Sequence, residues 1–345
     1  MPLPTNAYID LAPGLRVCRV LNGMWQVSGA HGPIDARKAI AEMAAYEAAG
    51  FTTWDLADHY GPAEDFVGEY RKAAASAAGG STGSPRTASP KPLYFTKWVP
   101  HPGRMTRRVV EEAVDVSRRR MGMERLDLLQ FHWWEYEDAN YLEALKHLAS
   151  LRDEGKLLHI ALTNFDTAHM EAIAKAGVRV VSNQVQYSLV DQRPDAWMTS
   201  FCREQGIGLL TYGTMLGGLL SERWLGKPEP SYGQLNTASL QKYRRMIDAW
   251  GGWPLFQELL VALKGIAEKH GASIANVGTR AVLDRPAVAG VIIGARLGVA
   301  EHREENARVF AFTLDDADRE AIAEVTSRGR DLMAVIGDCG DEYRG

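Results

Sequence analysis

Four side chains in this sequence have the types needed to give a proton to a carbonyl oxygen: the carboxylate of Asp55, the phenol of Tyr60, the amine of Lys97 and the imidazole of His132. Asp55 and Tyr60 lie in TWDLADHYG, residues 53–61, where a β-branched and aromatic run gives way to a loop. Lys97 falls near the end of a strand-like run at 93–99, and His132 near the end of an almost continuous apolar run at 126–133. Strand ends of that kind are where parallel α/β enzymes place their chemistry. A phenol is a poor acid at neutral pH, with a reference pKa of ~10, so proton donation needs neighbours that stabilise phenolate. Lys97 is such a neighbour. A buried lysine is costly, and Asp55 offsets that cost by pairing with it. His132 is suited to orient the carbonyl oxygen and share the proton. Each pKa unit corresponds to about 1.4 kcal/mol, so two cationic neighbours are expected to bring the phenol down by several units. The set is complete for reducing a carbonyl if something delivers hydride.

The rest of the chain must bring these residues to one face. Strand-like runs at 17–27, around 53–61, and at 93–99, 126–133, 158–164, 178–187, 208–212 and 288–293 alternate with helical patterns. The helices are expected at 34–49, closed by Gly50, and at 63–78, 106–121, 141–154, 168–175, 255–270, 274–283 and 299–310. Eight parallel strands with crossover helices predict an α/β fold closed as a (β/α)8 TIM barrel rather than an open doubly wound sheet. No G-x-G-x-x-G follows the first strand, and the glycines at 79–84 lack a phosphate-loop Gly-Lys-Ser/Thr. The expected organisation is one domain over 1–345, with a flexible Gly/Ser/Pro-rich insertion at about 76–92 and a C-terminal extension at about 313–345. The segment 222–254 is polar and rich in tryptophan, and reads as a long loop of the kind that forms lids or belts. Met333, Ile336 and Tyr343 in the tail are available to reach the barrel mouth.

Composition narrows the function further. The 345 residues are 46% hydrophobic and 24% charged with a formal net charge of -4, which gives no electrostatic reason to expect nucleic acid or an anionic membrane as partner. Cys18, Cys202 and Cys339 are odd in number and widely spaced, which suggests neither a disulfide framework nor a zinc site and fits a reducing, cytoplasmic compartment. The histidines lack ligand spacing such as H-E-x-x-H, so no catalytic metal is expected. The amino-terminal residues have no basic-then-apolar leader, and no run approaches the ~18 apolar residues of a membrane span.

Several motifs together resemble the aldo-keto reductases. They are D-x-A-x-x-Y-G at 55–61, the strand lysine Lys97, Gln130-Phe131-His132-Trp133, Thr163-Asn164-Phe165, Ser182-Asn183-Gln184-Val185-Gln186-Tyr187, Tyr212-Gly213 with its glycine-rich loop, and the late run IIGARLGVAEHREEN. The resemblance implies a barrel that binds NADPH in extended form at its C-terminal face and transfers hydride to an aldehyde or ketone. It makes Tyr60 the general acid, Lys97 and Asp55 its tuning pair, and His132 the orienting residue. Asn164 and Gln184 would hold the carboxamide, and Tyr212 would stack on the nicotinamide. Gly213, Leu216 and Gly218 belong to the loop over the pyrophosphate. Arg296 and Arg303 would meet the 2′-phosphate, with Glu305 and Asn306 on the adenosine, which favours NADPH over NADH. Ala295, His302 and Leu56 depart from residues frequent in the family. Trp25 and Trp133 are expected to face the substrate.

Each residue also has a structural reading. Asp55 and Lys97 also read as a barrel-interior ion pair without chemistry, His132 as a satisfied core histidine, and Arg296 as a solvated helix-start residue. A second function from another class keeps the nucleotide site but not turnover, as in the channel-associated β-subunits that resemble this family and act as redox-sensing partners. Oligomeric state, monomer or homo-oligomer, leaves no signature.

Overall fold

A computed structural model describes residues 3–29, 34–78 and 90–344 of the chain. β1 (Tyr8–Ala12) and β2 (Leu15–Cys18) form an antiparallel hairpin. Eight further strands are β3 (Val20–Gly23), β4 (Thr53–Asp55), β5 (Leu93–Trp98), β6 (Leu126–His132), β7 (Leu157–Thr163), β8 (Ser182–Gln186), β9 (Gly208–Tyr212) and β10 (Val288–Gly294). They close into a barrel in which β10 pairs with both β9 and β3, and every neighbouring pair is parallel. The fold is the (β/α)8 barrel expected from the alternation.

Period-2 alternation sorts each strand into an inner and an outer row. Leu21, Phe95, Leu128, Ala161, Leu210 and Ala289 meet inside the barrel, and Leu15 and Val17 of the hairpin join them. Leu129, Phe131, Trp133, Leu162 and Val185 face outward onto the helices. These are α1 (Ala36–Ala48), α2 (Ala63–Ala78), α3 (Arg107–Met121), α4 (Asn140–Asp153), α5 (Thr167–Lys175) and α6 (Met198–Gln205). Local signals place their ends: Thr106 accepts from Val109 N and Asp166 from His169 N as N-caps, and Gly122 ends α3 at φ 60°. Gly68 lets α2 lie against α3, because a Cβ there would stand 2.1 Å from the Arg120 carbonyl oxygen.

The remaining helices are α7 (Ala238–Trp250), α8 (Gly252–His270), α9 (Ile274–Leu283), α10 (Arg303–Arg308), α11 (Asp316–Thr326) and α12 (Leu332–Ile336). Here the structure departs from the sequence reading. The segment 222–254 is no open loop: Thr237 caps α7, and Tyr243, Met246, Ile247 and Trp250 recur at helical spacing to pack into a second apolar cluster with α8 and α9. Only β3 of the run 17–27 joins the barrel, since the preceding β2 pairs back on β1. Residues 178–181 precede β8 rather than belong to it, and the helix expected at 299–310 shrinks to the six residues of α10. The core of the Gly/Ser/Pro-rich insertion, 79–89, lies outside the described residues. Among the described residues no helix is long and apolar enough to cross a membrane.

The tail returns over the barrel mouth and is fastened there by buried charge. Arg193, 2% exposed, donates to both oxygens of Asp191 at 2.8 Å and reaches Glu342 at 2.9 Å and the Asp338 carbonyl at 3.1 Å. Gln186 at the end of β8 donates to the same Asp191 at 2.6 Å. Arg344 donates to the Trp133 and Asn164 carbonyls and stacks 3.8 Å over Tyr136. Removing one partner of a buried pair strands the other charge. Arg193→Met should therefore cost about 3–5 kcal/mol in urea unfolding and make trypsin cut faster after Arg330; a loss below about 1 kcal/mol with unaltered cleavage would contradict this account of the tail.

Candidate active site

The C-terminal ends of β4, β5, β6 and β8 point a polar layer into the barrel directly above its apolar interior. Lys97 Nζ donates to Asp55 Oδ1 at 2.8 Å, to Asp55 Oδ2 at 2.7 Å and to the Leu56 carbonyl at 3.1 Å, so all three of its protons are used. Asp55 Oδ1 also accepts from Gln130 at 2.8 Å and from Gln184 at 2.7 Å. Both ions are 2% exposed. Burial pulls the Lys97 amine below the ordinary lysine value, and Asp55 opposes that pull. An isolated ammonium at this depth would lose its proton, and the carboxylate keeps the charge in place.

Tyr60 is brought over this pair by backbone bonds. Beyond β4 the chain keeps zipping onto β5, with Leu56 N donating to the Phe95 carbonyl and Asp58 N to the Lys97 carbonyl; Tyr60 N then donates to the Ala57 carbonyl in a turn closed by Gly61 at φ 53°. Lys97 Nζ stands 5.1 Å from the centre of the Tyr60 ring. The expected fall in the phenol's pKa does not occur in this state. Burial, and then Asp55, push Tyr60 well above 10, because both ammonium charge and carboxylate are already committed to each other. His132 follows the same logic: burial, then Arg344, His59 and Lys97, hold it down at about 3, so it is neutral at physiological pH. Its Nε2 is buried without a hydrogen-bond partner.

Asp55, Tyr60, Lys97 and His132 open on one cavity of about 1360 Å³, which also meets Trp25, Asn164, Gln184, Tyr212, Gly213, Gly218, Arg296, Glu305 and Asn306. The structure thus gathers most of the residues singled out in the sequence. Tyr212 donates to Asn164 Oδ1 at 2.8 Å, and Asn164 holds φ 55°, a conformation that non-glycine residues adopt rarely. Three residues fall elsewhere. Trp133 belongs to the outer row of β6, is fully buried, and donates to the Glu135 and Asp138 carbonyls, whereas Trp134, one residue on and in phase with His132, faces the cavity. Leu216 packs in the apolar cluster of α7 and α8, and its N–H is taken by the Gly213 carbonyl. Arg303 is drawn off by Glu301 at 2.8 Å and lies 5.6 Å over Tyr46. Of the three tail residues expected to be available at the mouth, Tyr343 meets the cavity, and Ile336 packs into the second cluster instead.

Lys242, Arg223 and Tyr243 also line the cavity and were not singled out from sequence. Lys242 and Tyr243 sit on α7, whose helical spacing was the available signal. Among the described residues no group of three or more His, Cys, Asp or Glu side chains is placed to hold a metal ion.

The chain belongs to the aldo/keto reductase family, whose model matches residues 19–327. It is similar to aldo-keto reductase YhdN of Bacillus subtilis, 25% identical over 319 residues that cover 90% of each chain. Flagellar radial spoke protein 5 of Chlamydomonas reinhardtii is 31% identical over 179 residues, covering 47% of this chain. The chain spans 34% and 56% of the length of two of the curated relatives it matches. Among solved structures, glycerol dehydrogenase from Gluconobacter oxydans superposes with a TM-score of 0.75 at 21% identity, covering 94% of this chain and 96% of that one, which is a likeness of fold.

The neutral His132 makes stability depend on acid. Unfolded, the imidazole takes a proton near 6.5, while in the folded protein it does so only at about 3. Between those values the unfolded state binds more protons, so stability falls as pH falls. From pH 7 to pH 5 this group should remove about 2 kcal/mol. Urea midpoints for wild type and His132→Gln at the two pH values check it: the variant should lose correspondingly less, and equal losses would exclude His132 as the source.

Proposed function

We propose that the protein is an NADPH-dependent oxidoreductase that reduces an aldehyde or ketone to an alcohol, with Tyr60 as proton donor. The observation that carries this reading is a single cavity lined by Tyr60, Lys97 and His132 and also by Arg296. The name of the relative YhdN, an aldo-keto reductase, supports the same reaction class.

The residues fit a nicotinamide nucleotide. Among the described residues neither Arg223 nor Arg296 has a carboxylate partner, although both line the cavity, so each is open to a phosphate. Tyr212 offers a ring face near Asn164 and Gln184, which suits the nicotinamide end. Arg296 would receive the 2′-phosphate. When bound, the nucleotide supplies hydride to the carbonyl carbon.

His132, being neutral, has Nε2 free to hold the carbonyl oxygen in place. Tyr60 keeps its proton in the resting protein because its pKa is raised, and a carbonyl oxygen gaining negative charge is a stronger base than phenolate, so the proton moves only as the bond order falls. The Lys97 ammonium beneath the ring then faces the phenolate left behind, and Asp55, with Gln130 and Gln184, keeps that ammonium from moving. Three buried cysteines without disulfides suit a reducing compartment, and cytoplasmic location is part of the proposal. The redox-sensing partner reading has no observation of its own in this chain.

Tyr60→Phe should lower kcat for aldehyde reduction by roughly 10²–10⁴-fold while leaving NADPH affinity within about twofold. Turnover at wild-type rate, followed by nucleotide absorbance, would remove Tyr60 as the acid. Arg296→Ala should weaken NADPH at least about tenfold, or about 1.4 kcal/mol, and NADH much less. Equal losses for the two nucleotides by titration calorimetry would take away the 2′-phosphate role.

A further inference from the structure

We infer that Lys242, with the Tyr343 hydroxyl, is an oxyanion-recognition point beside the reacting end of the cavity, and that the preferred substrate is a carbonyl compound carrying a carboxylate or phosphate. The inference rests on the carbonyl-reductase reading and adds the substrate class.

Lys242 rises from the first turns of α7, and its Nζ stands 5.1 Å from the Tyr212 ring centre, 5.4 Å from Tyr243 and 4.4 Å from Tyr343. Its hydrogen bond goes to the Tyr343 hydroxyl. The ammonium therefore sits in an aromatic corner, partly compensated by π faces and one phenol oxygen, with no carboxylate in salt-bridge contact among the described residues. Lys97 in the same cavity already donates its three protons to Asp55 and the Leu56 carbonyl, so it has no hydrogen bond to offer a substrate anion. Glu342, the acid that feels the Lys242 charge, is itself held by Arg193 at 2.9 Å and by Gly340 N at 3.0 Å. A half-buried cation in this position attracts an anion more strongly than one in open water.

Its place in the cavity decides which anion. The Tyr343 hydroxyl lies 3.0 Å from the Tyr212 hydroxyl, and its ring lies 6.4 Å from His132 and 5.9 Å from Trp134. Lys242 is thus joined through one phenol to the residues around the proposed carbonyl site. Among the described residues Arg223, in the segment after the glycine-rich loop, Arg245 on α7 and Arg296, after β10, are the cavity-lining arginines left for the nucleotide's phosphates. The tail that carries Tyr343 is fastened by Arg193 and Arg344, so the hydroxyl is held where an anion would meet it together with the ammonium. A small carbonyl substrate bearing an acid group would set that group at Lys242 and its carbonyl oxygen at His132 Nε2.

The test compares para-carboxybenzaldehyde with its uncharged methyl ester, using NADPH and the full chain. The acid should be preferred by kcat/KM, Lys242→Met should lower the acid-to-ester ratio about tenfold or more, chiefly through KM, and Lys242→Arg should keep most of it. Matched melting temperatures and circular dichroism establish that the variants fold. An unchanged ratio in Lys242→Met overturns the inference while leaving the reductase reading intact. So does an unchanged ratio with weakened NADPH binding, which would assign Lys242 to the nucleotide's pyrophosphate. If neither aldehyde is reduced, the reductase reading fails, and calorimetry decides the anion site separately: binding of para-carboxybenzaldehyde that is lost in Lys242→Met upholds it, and no binding to wild type overturns it.

Discussion

The site depends on one ion pair with almost no access to water, Asp55 with Lys97. Neither ion is tolerable alone at that depth, and together they are tolerable only because Gln130, Gln184 and the Leu56 carbonyl take up their remaining hydrogen-bonding capacity. That requirement draws residues from β4, β5, β6 and β8 into one layer. The layer in turn fixes the register of the strands at the C-terminal end, because a slip of one residue on any of them would turn its polar group into the apolar space between barrel and helices. Tyr60 and His132 inherit their positions from it.

Around this rigid centre the cavity is completed by parts that are not barrel. The wall near Tyr212 comes from α7, an added helix with its own apolar cluster, and the cover comes from the tail, held down by the buried Arg193 and by Arg344. Both attachments use charge or apolar burial independent of the Asp55 layer. The cavity wall can therefore change through α7 and the tail while the Asp55 layer stays fixed, which is how loops on a barrel generally diversify function.

Much of this was legible without coordinates. The alternation of apolar runs and helical patterns carried the barrel, and Asp55, Tyr60, Lys97 and His132 stand out because each polar residue ends or follows a run of apolar ones. What misled was phase and length. Trp133 and Trp134 are adjacent, and the run in which they occur does not say which one turns outward. The tryptophans and charges of 222–254 obscure the spacing of Tyr243, Met246, Ile247 and Trp250, so α7 and its Lys242 do not stand out in the sequence. Residue type makes Arg303 a further candidate beside Arg296, but Glu301 holds it.

Local pattern by itself determined the fold class, the order of strands and helices and the identity of the four chemical groups, since those follow from burial periodicity and residue type over a few neighbours. Tertiary structure alone decided the charge states: Tyr60 keeps its proton, His132 stays neutral and Lys97 is locked to Asp55, because desolvation and pairing depend on what packs around a group from distant parts of the chain. It also decided that Lys242 and Tyr343, 101 positions apart, meet over the site. No short-range signal encodes that meeting, because it results from a helix and a tail each docking for reasons of its own.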